Sequence, residues 1–212
     1  MTGNMSQIAL PLAQRRAADP DRIVVGNANR HVIEALRNPA AWPFRTAILT
    51  APPRSGKSLL GRWFAAQGHL DKGGGEAIDG ADRIDETELF HRWNRAQEDG
   101  RPLLLISDAQ PWEITLPDLR SRLGAALHLE IAAPDDEMVA GLIESLAGQR
   151  ALVLGDGALT YLVPRVTRSF AGIERLVATI DRLSMERKAP ATLSIWRDAL
   201  EAVQGAEQPR LL

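Results

Sequence analysis

Cysteine is absent from this 212-residue chain. That removes disulfides, thiolate zinc sites and cysteine nucleophiles. An excess of charge is also absent: 25 Lys and Arg face 27 Asp and Glu, a formal net charge of −2. No global basic field arises of the kind a DNA-wrapping protein needs. No apolar run approaches the length of a membrane span, and the N-terminus has no apolar signal-peptide core. A soluble, cytoplasmic protein without membrane partners is the expectation. What is present is 45% apolar residues, enough for the core of one α/β domain with a small appendage.

The most telling stretch is Ala51-Pro52-Pro53-Arg54-Ser55-Gly56-Lys57-Ser58. It follows the apolar run Thr46–Thr50 and precedes an amphipathic run beginning at Leu59. Strand, loop and helix in that order make a phosphate-binding P-loop. In the turn opened by Pro53, the backbone N–H groups of Arg54, Ser55, Gly56 and onward to Leu59 would face phosphate oxygens. Lys57 would reach the β- and γ-phosphates, and the Ser58 hydroxyl would ligate Mg²⁺. ADP or ATP with Mg²⁺ is therefore the expected cofactor. Ala51 stands where the first glycine is usual, a small intrusion of one methyl group. The plain alternative is a Pro/Ser turn that happens to carry Gly-Lys-Ser; the flanking strand and helix argue against it.

Four regions are expected along the chain. Residues 1–21 read as a tail and linker, with one apolar patch at Ile8–Leu12. Residues 22–133 read as an α/β nucleotide-binding domain. Helices are expected over 29–37, 56–67, from Asp85 onward and over 116–123, and strands over 46–50, 77–79, 103–106 and 127–131. The unbroken run Leu103-Leu104-Leu105-Ile106 suits a strand buried on both faces of a parallel sheet. After Pro134 no strand is evident, and four apolar helical faces define a small all-α lid over 134–202. Residues 203–212 form a polar tail.

Several polar residues fall where P-loop chemistry would use them. Asp79 ends a short strand and is the candidate for the Mg²⁺ shell, against the alternative of an ordinary turn aspartate. Many such ATPases place a second carboxylate next, to orient the attacking water; here that position is Gly80. Binding with poor intrinsic hydrolysis follows, unless Asp82 or Asp85 supplies the missing carboxylate. Ser107 ends the strand over 103–106 and would face the γ-phosphate crevice; a simple strand-to-loop residue is nearly as good a reading. Arg122 and Arg168 stand out by context, each against the alternative of a surface arginine. Arg120 competes with Arg122 for a role at a neighbour's nucleotide.

Together these residues resemble an AAA+ ATPase of the DnaA branch, and more narrowly the Hda-type regulatory homologues of that replication initiator. Ile23-Val24-Val25-Gly26-Asn27-Ala28-Asn29 resembles the segment that lines the adenine pocket, which implies roles for Val25 and Gly26. Leu116–Leu123 resembles the segment ending in the arginine finger, which puts that role on Arg122. Thr167-Arg168-Ser169-Phe170 resembles the sensor 2 segment, which puts that role on Arg168. Gln7-Ile8-Ala9-Leu10-Pro11-Leu12 resembles the sliding-clamp-binding peptide of the Hda type. Gln7 would hydrogen-bond at a pocket rim, Ile8, Leu10 and Leu12 would supply the apolar anchor, and Pro11 would limit entropy loss.

The resemblance implies an AAA+ P-loop domain with a shortened parallel sheet, followed by a helical lid. Only 22 positions separate Lys57 from Asp79, where the family normally fits an edge strand and extra helices. The chain ends about a dozen residues after Leu200, too few for a helix-turn-helix, so no sequence-specific DNA binding is expected. The implied function is negative regulation of replication initiation. A clamp-bound, ADP-bound protein would present Arg122 to ATP on DnaA and act as an activator more than as an enzyme. The alternative is a free-standing ATPase of the helicase-loader type hydrolysing its own ATP. A pure interaction scaffold and a homo-oligomer both stay open.

Overall fold

The computed structural model describes residues 23–67 and 74–207. The nucleotide-domain part is a parallel sheet with helices on both faces. Its strands are β1 (Thr46–Thr50), β2 (Glu76–Asp79), β3 (Leu103–Ser107) and β4 (Leu127–Glu130). They lie in the order β2-β3-β1-β4, with every pairing parallel. Four strands among the described residues are the shortened sheet expected from the narrow Lys57–Asp79 interval. β2, which carries Asp79, is thereby left at the edge.

The apolar run in β3 works as a two-faced strand, because successive side chains point to opposite sides. Leu104 and Ile106 join Ala47, Leu49 and Leu129 against α1 (Arg30–Arg37) and α2 (Lys57–Ala66), through Leu36, Leu60 and Phe64. Leu103 and Leu105 join Ile48 and Ile78 against α3 (Glu86–Glu98) and α4 (Pro117–Gly124), through Leu89, Trp93, Leu119 and Leu123. All of β3 is buried. Phe64 is fully buried and stacks on Trp42 with ring centroids 5.3 Å apart.

The remaining helices are α5 (Asp136–Gln149), α6 (Ala158–Leu162), α7 (Phe170–Arg187) and α8 (Leu193–Glu207). They enclose their own apolar cluster around Val139, Ile143, Leu176, Ile180 and Trp196. Their capping is local and readable. The Asp135 side chain accepts from the Met138 N–H at the start of α5, and the Ser169 side chain accepts from the Gly172 N–H at the start of α7. Beyond the sheet, one isolated bridge pairs Leu154 with Ala191 among the described residues.

Apolar packing and a hydrogen bond help seat the helical part on the sheet. Met138 and Phe170 belong to the sheet-side cluster that contains Phe64. The Asn27 side-chain amide donates to Asp135 at 2.8 Å, tying the segment before α1 to the start of α5.

Candidate functional site

The segment after β1 turns tightly. The Ser55 N–H donates to the Pro52 carbonyl at 3.3 Å. Arg54 has φ +64° and Gly56 φ +86°, both in the left-handed region. A Cβ on Gly56 would meet nothing within 4 Å, so backbone conformation, not space, calls for glycine there. Ala51, in place of the usual first glycine, puts its methyl into the sheet-side core. Helix α2 then starts at Lys57 with no side-chain cap. The first N–H groups of a helix have no intrahelical partner, so here they are free to meet an anion.

The residues fit a phosphate group. The Ser55 hydroxyl is buried in the turn without a hydrogen-bond partner, and Lys57 lines the same cavity. A cavity of about 340 Å³ opens here, with residues 54–59 and Arg62 on one wall. Leu142 and Leu146 of α5 and Phe170 and Glu174 of α7 form the other. Arg54 crosses that mouth to Glu174 at 3.3 Å. A phosphate-binding turn with an apolar wall opposite suits a nucleotide.

Beyond Lys57 the charges are tightly arranged. Lys57 Nζ lies 2.7 Å from Asp108 Oδ1 and 3.5 Å from the Ala51 carbonyl. The other oxygen of Asp108 takes Arg83 Nη1 at 2.9 Å. The Lys57 hydrogen bond, above all, holds the Asp108 carboxyl below the usual aspartate range; burial opposes it, and the fields of Lys57 and Arg83 and the Arg83 hydrogen bond add to the lowering. The Asp108 backbone N–H donates to Asp82 Oδ1 at 3.1 Å.

Gly80, the position following Asp79, has φ +68°. A Cβ built there would lie 2.5 Å from Arg83 Nη2. A guanidinium therefore fills the space where a second carboxylate would stand. The two reserve carboxylates are engaged elsewhere: Asp82 on the Asp108 N–H, and Asp85 as the N-cap of α3, accepting from Thr87 and Glu88. Asp79 itself is exposed at the end of β2, in register with Ile106. No cluster of three metal-ligating side chains occurs among the described residues. Mg²⁺ does not require one, since it commonly takes one or two protein ligands plus phosphates and waters; Ser58 and Asp79 are the residues that would hold it.

Other expected site residues fall in less direct places. Ser107 is buried, and its hydroxyl closes on its own turn, donating to the Ala109 carbonyl and accepting from the Ala109 N–H. Its neighbour Asp108 is the residue that reaches Lys57. Gly26 packs against Met138, whereas Val25 is exposed, and neither lines the P-loop cavity. The buried Asn29 holds this segment, accepting from the Gly26 N–H and donating to the Val24 carbonyl.

The two candidate arginines are both engaged. Arg168 pairs with Asp136 at the first turn of α5, 2.8 Å away. Arg122 is half-buried, with its guanidinium 4.4 Å from the Trp93 ring centroid and 4.8 Å from that of Phe90. It also donates to Asn94 Oδ1 at 3.1 Å. Arg120 instead holds the Ile114 and Thr115 carbonyls. Gln7, Ile8, Leu10, Pro11 and Leu12 lie outside the described residues. Arg83 and Glu174 carried no sequence signal: neither belongs to a motif, and both matter through contacts between elements.

A larger cavity, about 750 Å³, lies on the opposite sheet face beneath Trp112 and Ile114, with Arg120 and His128 at its side. It has no phosphate-binding turn, so the chemistry assigns the candidate site to the smaller cavity at the P-loop.

Relatives in sequence and structure agree on the fold. Over 122 residues, 56% of the chain, it is 28% identical to the chromosomal replication initiator protein DnaA of Lactiplantibacillus plantarum. That match covers 26% of the initiator, so the chain spans about a quarter of the length of the curated initiators it matches. It is 27% identical over 185 residues to an uncharacterized protein of Haemophilus influenzae, covering 82% of this chain and 78% of that one. Domain III of Thermotoga maritima DnaA superimposes with a TM-score of 0.69 at 16% identity, over 86% of this chain and 95% of that one.

The fold is that of an AAA+ domain.

Two other AAA+ structures superimpose less closely. A Thermotoga maritima RuvB variant gives a TM-score of 0.64 at 20% identity, over 90% of this chain and 73% of RuvB. AMPPCP-bound DnaA from Aquifex aeolicus gives 0.58 at 20% identity, over 79% of this chain and 67% of that one. No protein-family profile matches the chain. In this AAA+ frame β1 carries the P-loop, β2 carries Asp79, and Asp108 follows β3 between them.

Proposed function

We propose that this chain is a nucleotide-dependent regulator of replication initiation, an activator of hydrolysis on DnaA and not an engine of its own. Residues 54–59 hold the phosphates of a nucleotide, with Lys57 as their cation and Ser58 and Asp79 as the Mg²⁺ ligands. The bound nucleotide, ADP by the Hda resemblance, would neutralise these groups between the P-loop and the lid over 134–202. Gln7–Leu12 would dock on the DNA-loaded sliding clamp. Arg122 would then serve ATP on a DnaA protomer, where a guanidinium stabilises the charge that develops on the transferred phosphoryl group.

The observation that carries this division of labour is Gly80. Its side-chain space is filled by the Arg83 guanidinium, at 2.5 Å from a built Cβ. A cation there cannot take a proton from water. Among the nearby carboxylates, Asp82 and Asp85 accept from backbone N–H groups, and Asp108 is held by Lys57 and Arg83. An ATPase that turns over its own ATP would need one of these carboxylates freed to take the proton from water.

The deciding experiment measures ATP hydrolysis by DnaA with and without this protein, DNA-loaded clamp and ADP. Stimulation that needs the clamp and ADP supports the proposal. No stimulation in any combination refutes it, and hydrolysis by this protein alone establishes the rival ATPase.

A further inference from the structure

We infer that Arg54 is a second cation of the phosphate site, shared with Glu174 of the lid, so that a bound nucleotide ties the lid to the P-loop through Arg54 and stays longer for it. The inference rests on the reading of the P-loop as a nucleotide site and names the residue that links that site to the lid.

The pair spans the cavity. Arg54 belongs to the tight turn after β1, and Glu174 to the second turn of α7. Arg54 Nε lies 3.3 Å from Glu174 Oε2. A guanidinium carries five N–H donors. The one on Nε is spent on Glu174, and the four on Nη1 and Nη2 are left for a phosphate in the turn. The backbone argues that this side chain is there for a contact. Arg54 has φ +64°, where glycine is unstrained and a residue with a Cβ is not. Glycine would relax the turn and leave the mouth uncrossed.

Among the described residues that line the cavity, Glu174 is the one carboxylate, set against Arg54, Lys57 and Arg62. Phe170, one turn before it, lines the same wall. A carboxylate beside a phosphate site disfavours the anion unless a cation stands between them. Arg54 is that cation. The arginine that the sensor 2 resemblance puts in such a role is turned elsewhere: Arg168 pairs with Asp136 at 2.8 Å and does not line the cavity. In this chain the lid supplies the carboxylate and the P-loop supplies the arginine. One guanidinium that holds both the phosphate and Glu174 keeps the two walls together for as long as the phosphate stays.

The test is the rate at which a fluorescent ADP analogue leaves the whole protein when chased by excess unlabelled ADP. The native protein is compared with Arg54→Ala, Arg54→Lys, Glu174→Gln, Arg168→Ala and the double variant Arg54→Ala with Glu174→Gln. Arg54→Ala should release the analogue about fivefold faster and Glu174→Gln about twofold faster, the scale of a solvent-exposed charged contact. The double variant should release it no faster than Arg54→Ala alone, because two groups that act through one contact are not additive. Arg168→Ala should change the rate less than Arg54→Ala does. Arg54→Lys keeps the charge and should stay within about twofold of the native rate, which separates the contact from any loosening of the turn by alanine. Added salt should narrow the gap between the native protein and Arg54→Ala, since the screening length falls to about 3 Å at 1 M.

Release at the native rate from Arg54→Ala or from Glu174→Gln overturns the inference. So does a double variant whose effect is the product of the two single ones. Both results leave the nucleotide reading intact. Faster release from Arg168→Ala than from Arg54→Ala gives the link to Arg168 and overturns the inference as well. Failure of the native protein to bind the analogue refutes the nucleotide reading, and the role of Arg54 falls with it.

Discussion

Replacing Arg122 by alanine should separate a small structural loss from a large functional one. The guanidinium stacks on Trp93 and Phe90 and donates to Asn94. A cation–π contact at a partly exposed site contributes about 0.5–1 kcal/mol. A hydrogen bond from a charged donor adds roughly 1 kcal/mol at the low end appropriate to a half-buried group. The expected cost of Arg122→Ala is thus about 2 kcal/mol, which for a chain of this length lowers the melting temperature by roughly 4–8 °C. With about 5–15 kcal/mol of total stability, the variant stays folded at 25 °C.

The functional loss should be much greater. An arginine supplied in trans contributes about 10³–10⁵ in hydrolysis rate, or roughly 4–7 kcal/mol. The same cage also opposes the role. Arg122 must leave Trp93, Phe90 and Asn94 to reach a partner's nucleotide, and about 2 kcal/mol corresponds to a thirtyfold population penalty. Asn94→Ala removes roughly 1 kcal/mol of that hold and should raise stimulation up to about fivefold. The assay is DnaA hydrolysis at saturating clamp, read beside thermal melts of the same preparations. Arg122→Ala that melts lower yet stimulates DnaA like the native protein refutes the role, and Arg122 is then a packing residue of α4.

Three further outcomes are expected. Lys57→Ala should weaken nucleotide binding by roughly a hundredfold, since it removes a charge-assisted bond worth about 3 kcal/mol; calorimetric titration that finds native affinity would exclude the P-loop as the site. Phe64→Ala should cost about 3–5 kcal/mol, because the fully buried ring stacks on Trp42 and nothing adjacent can refill its space. A chemical-denaturation loss under about 1 kcal/mol would contradict that packing. Glu86 accepts from the Thr115 N–H and hydroxyl and from the Leu116 N–H, and these bonds, the Thr115 N–H first, hold its carboxyl below the usual glutamate range. Its folded-state value is depressed, so its contribution is present above the ordinary glutamate value and is lost as pH falls through the depressed one. The difference in melting temperature between the native protein and Glu86→Gln should shrink on acidification, and a gap that persists in acid would refute the assignment.

Much of the framework was legible because it is governed by neighbours in sequence. The strands over 46–50 and 103–107 and the helix after Lys57 follow from apolar periodicity and from a loop whose chemistry is local. The Leu103–Ile106 run announced a strand covered on both faces, and the two clusters that divide its side chains are what such a strand must make. Gly80 was visible as a missing carboxylate. The Arg83 guanidinium that fills its place was not, because a 3₁₀ turn over Ala81–Arg83 is what folds it back.

The chain's own order of residues determined that a tight Gly-Lys-Ser turn would form between a strand and a helix, and that the sheet would be short. Tertiary structure alone decided what that turn confronts. Strand order places the end of β3 between the ends of β1 and β2, which brings Asp108 to Lys57 on one side and to Arg83 on the other. Helix packing turns Arg122 onto Trp93 and sends Arg168 to Asp136. Periodicity acts over a few residues and can be read along the chain. Charge pairing and ring stacking act through space, between residues that meet only when the sheet and the helices have closed on one another.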